Sequence, residues 1–97
     1  MPNVIITRTA QRQLDEIIDN IIEYTYSVES GLKLMNDIYE KINLIGFMPT
    51  AIGRLREDGT REAFCRGYRI VYEVINNNIY INFVIHSRRL YPRLDQK

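Results

Sequence analysis

The residues of this 97-residue chain that can do chemistry lie mostly in its last third. Glu62, Arg66, Arg69, His86, Arg88, Arg89 and Tyr91 bring a carboxylate, several guanidinium groups, the one imidazole and a phenol. A guanidinium fork at Arg69 can hold a phosphate through two parallel hydrogen bonds. An imidazole such as that of His86 is the side chain best suited to proton transfer near neutrality. Arg88 or Arg89 can stabilise developing charge, Glu62 is a conceivable base, and Tyr91 can stack on a nucleobase. Arg66, Arg69, Arg88, Arg89 and Tyr91 make, equally, a basic surface with an aromatic edge for binding a macromolecular target. The plainer reading of a lone histidine beside arginines is a structural hydrogen-bonding residue.

Other chemistries are excluded. One histidine and one cysteine cannot build a zinc site of the usual kinds, so no metal is expected. Gly31, Gly46, Gly53, Gly59 and Gly67 are scattered singly, so there is no glycine-rich phosphate loop, and no cofactor is expected. His86 and Ser87 are neighbours in a strand-like segment and point to opposite faces, which rules them out as a base and nucleophile pair. Cys65 has no internal partner, which suits a reducing cytoplasm. The run Val4-Ile5-Ile6 is too short for a signal peptide, and no stretch is long enough to span a bilayer, so no membrane role is expected.

Net charge is only +1, but it is unevenly spread. Residues 1–53 hold four basic residues against seven acids, net −3, and residues 54–97 hold nine against five, net +4. The C-terminal half therefore carries a positive field that could face phosphates or acidic protein.

The elements that must position these groups are readable from periodicity. A single domain over residues 1–97 is expected, with 45% hydrophobic residues to build its core. Val4 to Thr7 reads as a short strand. Ala10, Leu14, Ile17, Ile18, Ile21 and Ile22 then recur at helical spacing, with Thr7 or Thr9 as the cap. The helix breaks around Tyr26-Ser27. A second stripe of Leu32, Met35, Ile38, Tyr39, Ile42 and Ile45 follows and is stopped by Pro49. Residues 50–60 read as a loop rich in glycine and charge. Arg61 to Arg66, Tyr68 to Ile75 and Ile79 to His86 read as three strands, joined by turns at Arg66-Gly67 and Asn76-Asn77.

With Asn76 and Asn77 as the central turn residues, Val74 faces Ile79, Tyr72 faces Ile81 and Ile70 faces Phe83. Those side chains share an apolar face that should pack on the helices. Arg69, Val71, Glu73, Tyr80, Asn82, Val84 and His86 then fall on the other face, joined by Glu62 and Phe64. Cys65 is expected beside Tyr68 and Ile70 as a small core residue. The expected fold is α+β, in the order β-α-α-β-β-β, with a helical hairpin packed on one face of a small antiparallel sheet.

That order resembles the RelE/ParE superfamily of toxins over essentially the whole chain. Val4-Ile5-Ile6-Thr7 leading to Leu14-Asp15-Glu16-Ile17 resembles the family's opening. Met48-Pro49 followed by Gly53-Arg54 is similar to the loop of ParE-like members. Tyr68-Arg69-Ile70-Val71-Tyr72-Glu73-Val74 resembles the central strand of both branches. His86-Ser87-Arg88-Arg89 with Tyr91 resembles the ParE-type ending, where glycine often stands in place of Ser87. The resemblance implies the toxin of a type II toxin–antitoxin system, held inactive by a cognate antitoxin protein.

Two targets are open. ParE-like members poison DNA gyrase and are not hydrolases, and for that role Arg66, Arg69, Arg88, Arg89 and Tyr91 are the expected target-binding residues. RelE-like members cut mRNA on the ribosome, and as such an mRNA interferase the chain would use Arg69, His86 and Arg88 as catalytic residues. The ending and the Met48-Pro49 loop favour the ParE-like reading. The modest net charge also counts against a ribosome-bound nuclease, which meets dense phosphate.

Overall fold

The computed structural model describes residues 3–88. The elements run β1 (Asn3–Ile6), α1 (Arg8–Thr25), α2 (Val28–Phe47), α3 (Pro49–Ile52), β2 (Arg54–Leu55), β3 (Arg61–Cys65), β4 (Tyr68–Ile75) and β5 (Asn78–His86). The α+β class and the helical hairpin on a sheet are as expected. Two elements lie within the stretch read as a loop: Pro49 starts the single turn α3, and Arg54 and Leu55 form a short edge strand.

Local chemistry sets the ends of the helices. The Thr7 hydroxyl accepts from the Ala10 amide at 3.2 Å and caps α1. Ser27 does the same for α2, accepting from the Ser30 amide at 3.1 Å. Between them Tyr26 ends α1 in the left-handed conformation, with φ 55°. Gly31 lets the two helices approach, since a Cβ there would sit 2.6 Å from Ile22 Cγ1.

The sheet has five strands in the order β1-β5-β4-β3-β2. The β2 to β5 portion is antiparallel, and β1 adds a parallel edge along Asn78 to Ile81 of β5. Ala10, Leu14 and Ile18 of α1 and Leu34, Ile38, Ile42 and Ile45 of α2 bury themselves on Ala63, Ile70, Tyr72, Ile79, Ile81 and Val84. This burial of apolar surface is the main force holding hairpin to sheet. Cys65 and Tyr68 pack at the margin of the same core.

Both two-residue turns form as expected. Cys65 pairs with Tyr68 around Arg66 and Gly67, and both turn residues have positive φ. Ile75 pairs with Asn78 around Asn76, at φ 57°, and Asn77.

The register of the last hairpin departs from strict alternation. Val74 faces Ile79 and Tyr72 faces Ile81, but Val71 faces Phe83 and Ile70 faces Val84. Asn82 is therefore an extra residue in β5, a β-bulge. The bulge satisfies its own polar groups: the Asn82 amide donates to Glu73 Oε1 at 3.0 Å, and its carbonyl accepts from the Thr7 hydroxyl at 3.4 Å. Beyond it every side chain of β5 changes face. Val84 joins the core under the helices, while Phe83 and Ile85 turn to the outer face. The expected burial of Ile70, Tyr72 and Ile81 holds, and that of Phe83 in the same core does not.

Candidate functional site

The outer face of the sheet carries a cleft of about 560 Å³ between β2, the loop after it, β3 and β4. Its lining is Arg54, Leu55, Arg56, Glu57, Asp58, Glu62, Phe64 and Arg69. Glu62, Phe64 and Arg69 come from alternate positions of paired strands, as the outer face requires. Leu55 and Phe64 are exposed at its rim.

The charges of the cleft are largely spent within it. Arg54 Nε donates to Glu62 Oε2 at 2.8 Å, and Glu62 is buried while the arginine side chain stays exposed. Arg56 Nη1 reaches Asp58 Oδ2 at 3.2 Å and the Thr60 hydroxyl at 2.8 Å. Asp58 also accepts from the Thr60 hydroxyl and amide, and these hydrogen bonds hold its carboxyl below the usual carboxylate range. Arg69 donates to the Ser87 carbonyl. Guanidiniums bound to acceptors of their own protein have fewer donors left for a bidentate grip on a phosphate.

The loop that carries Arg54 is fixed from below. The Tyr72 hydroxyl donates to the Pro49 carbonyl, and Arg61 Nη1 donates to the carbonyl of Gly53 at 2.8 Å. Burial pushes the Tyr72 phenol above its usual range, and the Gly53 backbone and the Arg61 charge draw it part of the way back.

The candidate residues do not converge on one point. Arg69 is on the outer face, beside Phe64 of β3 and opposite Ile85 of β5. His86 was expected on that face too. The bulge places it opposite Tyr68 instead, on the helix-bearing side, where the two rings meet edge to face with centroids 5.6 Å apart. There His86, Tyr68 and Val84 line a second hollow of about 420 Å³ with Gln13, Glu16, Ile17 and Asn20 of α1. Gln13 closes part of the open edge of β5, its side-chain oxygen accepting from the Val84 amide at 2.9 Å.

Arg88 is exposed, and its amide donates to His86 Nδ1 at 3.2 Å. Arg66 sits in the β3–β4 turn and pairs with Asp37 of α2 at 2.9 Å. Arg89 and Tyr91 lie outside the described residues. Arg54 of β2 and Arg56 of the loop after it were not among the expected site residues, although Gly53-Arg54 was part of the loop resemblance. Their charge was visible in the sequence, but the strand and ion pairs that aim them at Glu62 were not.

Among the described residues no group of His, Cys, Asp and Glu could hold a metal ion, and no helix is long and apolar enough to cross a membrane.

A helical hairpin on one face of a meander closed by a parallel first strand is the RelE/ParE toxin fold. Residues 4–91 match the family described as the ParE toxin of the type II toxin–antitoxin system parDE. The chain belongs to this ParE toxin family. Among solved structures, the chromosomal ParDE system of P. aeruginosa is similar with a TM-score of 0.81 at 24% identity, covering 91% of this chain and 98% of that one. The toxin–antitoxin complex RelBE2 of Mycobacterium tuberculosis is similar with a TM-score of 0.55 at 23% identity, covering 89% and 99%. No curated protein matches the chain in sequence.

Proposed function

We propose that this toxin arrests growth by binding and poisoning DNA gyrase, and that a cognate antitoxin switches it off by covering it. Membership of the ParE family supports a binding poison. The observation that carries the preference over mRNA cleavage is the separation of Arg69 from His86 by the thickness of the sheet. Cleavage through a 2′-hydroxyl needs a phosphate-holding cation and a proton donor addressing the same phosphodiester. Here the Arg69 fork is turned to the Ser87 carbonyl on one side, and the imidazole is against Tyr68 on the other. A binding poison needs no such convergence, and Arg66, Arg69, Arg88, Arg89 and Tyr91 serve it as contact residues.

The test is to mix the purified chain with gyrase and follow supercoiling and trapped cleavage complexes, alongside induction in cells. The expected result is loss of supercoiling, cleaved DNA and a damage response with mRNA intact, relieved by the antitoxin. Ribosome-dependent mRNA fragments without DNA damage would overturn the reading.

A further inference from the structure

The tip of the helical hairpin breaks several local rules at once. Tyr24, Tyr26 and Val28 are 84%, 94% and 60% exposed, and the two tyrosines are the most exposed large hydrophobic residues described. Tyr26 holds a left-handed backbone, a position that glycine or asparagine occupies with less strain. Glu23 stands in the last turn of α1, where the negative end of the helix dipole disfavours an anion, and no basic residue is there to balance it. Asp19 lies one turn before it on the same face, so the two carboxylates repel. Among the described residues neither carboxylate takes part in an ion pair. Glu29, in the first turn of α2, adds another negative charge beside Val28. Glu29 suits the positive end of α2 and Tyr26 ends α1, but the exposed rings of Tyr24 and Tyr26 and the carboxylates of Asp19 and Glu23 return no stability to the fold. Local rules broken without internal compensation mark a surface kept for something outside the molecule.

We propose that this tip is a docking knob for a cationic, concave surface of the toxin's protein target, with Tyr24 and Tyr26 as anchors and Asp19, Glu23 and Glu29 as the charged rim. The sign of the rim chooses the occupant. Tyrosine faces attract arginine and lysine through their ring quadrupoles, and the carboxylates pair with the same side chains. A convex tip buries its rings only in a recess. A protein that handles DNA carries cationic recesses, because it must neutralise phosphates. The inference rests on the gyrase reading above and adds a second contact surface to it, made by the acidic half of the chain rather than the basic one.

The experiment uses the whole chain and purified gyrase, with supercoiling inhibition titrated for wild type, Tyr24→Ala/Tyr26→Gly and Glu23→Lys. Both tyrosines are exposed, and glycine at 26 relieves the left-handed strain. The double variant should therefore unfold no earlier than wild type on heating. It should need at least about tenfold more protein for half-inhibition, the loss expected on removing interface anchors. Glu23→Lys should weaken inhibition as well, most strongly at low salt. Two outcomes overturn the proposal alone: the double variant matching wild type on a gyrase that wild type inhibits, or Glu23→Lys improving inhibition. Gyrase left untouched by wild type overturns the gyrase reading, and this proposal with it.

Discussion

The Tyr72 hydroxyl lies in the space that a side chain at Gly53 would need: a Cβ there would stand 2.2 Å from the phenol oxygen. Tyr72 is wholly buried in the middle of β4, and Gly53 closes α3 just before Arg54 turns into the cleft. One buried ring therefore sets where the rim of the outer face runs.

Gly53→Ala should push that ring out of its place. Overpacking of this kind typically destabilises by about 1–3 kcal/mol, because the core around Tyr72 has no room to give. Denaturant midpoints measure it, and an unchanged midpoint would mean that the loop slides freely over the ring.

Tyr72→Phe removes the hydrogen bond to the Pro49 carbonyl and should cost about 0.5–1.5 kcal/mol. It also changes behaviour in alkali. The folded phenol pKa is raised by burial. The protonated phenol's contribution is thus fully present below the ordinary value of about 10, and is lost as pH rises from there through the folded pKa. Wild type should lose stability above about pH 10 more steeply than Tyr72→Phe, and parallel curves would contradict the assignment.

Arg54 and Glu62 differ sharply in exposure, at 77% and 6% for their side chains. Arg54→Ala strands a buried carboxylate, with a loss of about 1–3 kcal/mol at neutral pH, toward the lower end because the arginine is solvated. Glu62→Gln in that background should recover part of it, since a neutral amide is easier to bury. A double-mutant cycle reads the coupling directly.

His86→Ala should leave growth arrest nearly intact. Loss of the edge-to-face contact with Tyr68 costs at most about 1 kcal/mol at this exposed position. Proton transfer by His86 would instead make the variant about 10²–10⁴-fold weaker. Growth curves after matched induction distinguish the two outcomes.

Much of the fold was legible in the helical stripes and the two turns, although at the start of α2 the core takes Leu34 and leaves Leu32, which the stripe had included, exposed. The break at Tyr26-Ser27, the choice of Thr7 or Thr9 as the first cap and the pairing of Tyr72 with Ile81 follow from residue types alone. The site was legible only in part, and the reason lies in Phe83-Val84-Ile85. Three apolar residues in a row fit a strand in either register, so the pattern carries no signal of where alternation slips. The bulge at Asn82 depends on Glu73 and Thr7, which are distant in sequence. Assigning His86 to the face of Arg69 followed from counting by twos across a place where the count changes. The edge strand at Arg54 and Leu55 was hidden for a different reason: its pairing partners, Glu62 and Arg61, lie across the Arg56–Thr60 turn.

The parallel pairing of β1 with β5 also has a consequence for how the toxin is made. Asn3 meets Asn78 and Ile6 meets Ile81, so β1 has its partner in a strand made long after it. The helical hairpin can form early from local contacts, while the sheet must wait for β5, which lies between β1 and β4. Val4 and Ile5 stay without their strand until then. An interrupted translation product, stopped anywhere before β5, contains the hairpin but neither a closed sheet nor Val84 to complete the core. The closed sheet and the full core thus come into being together, only once β5 is in place.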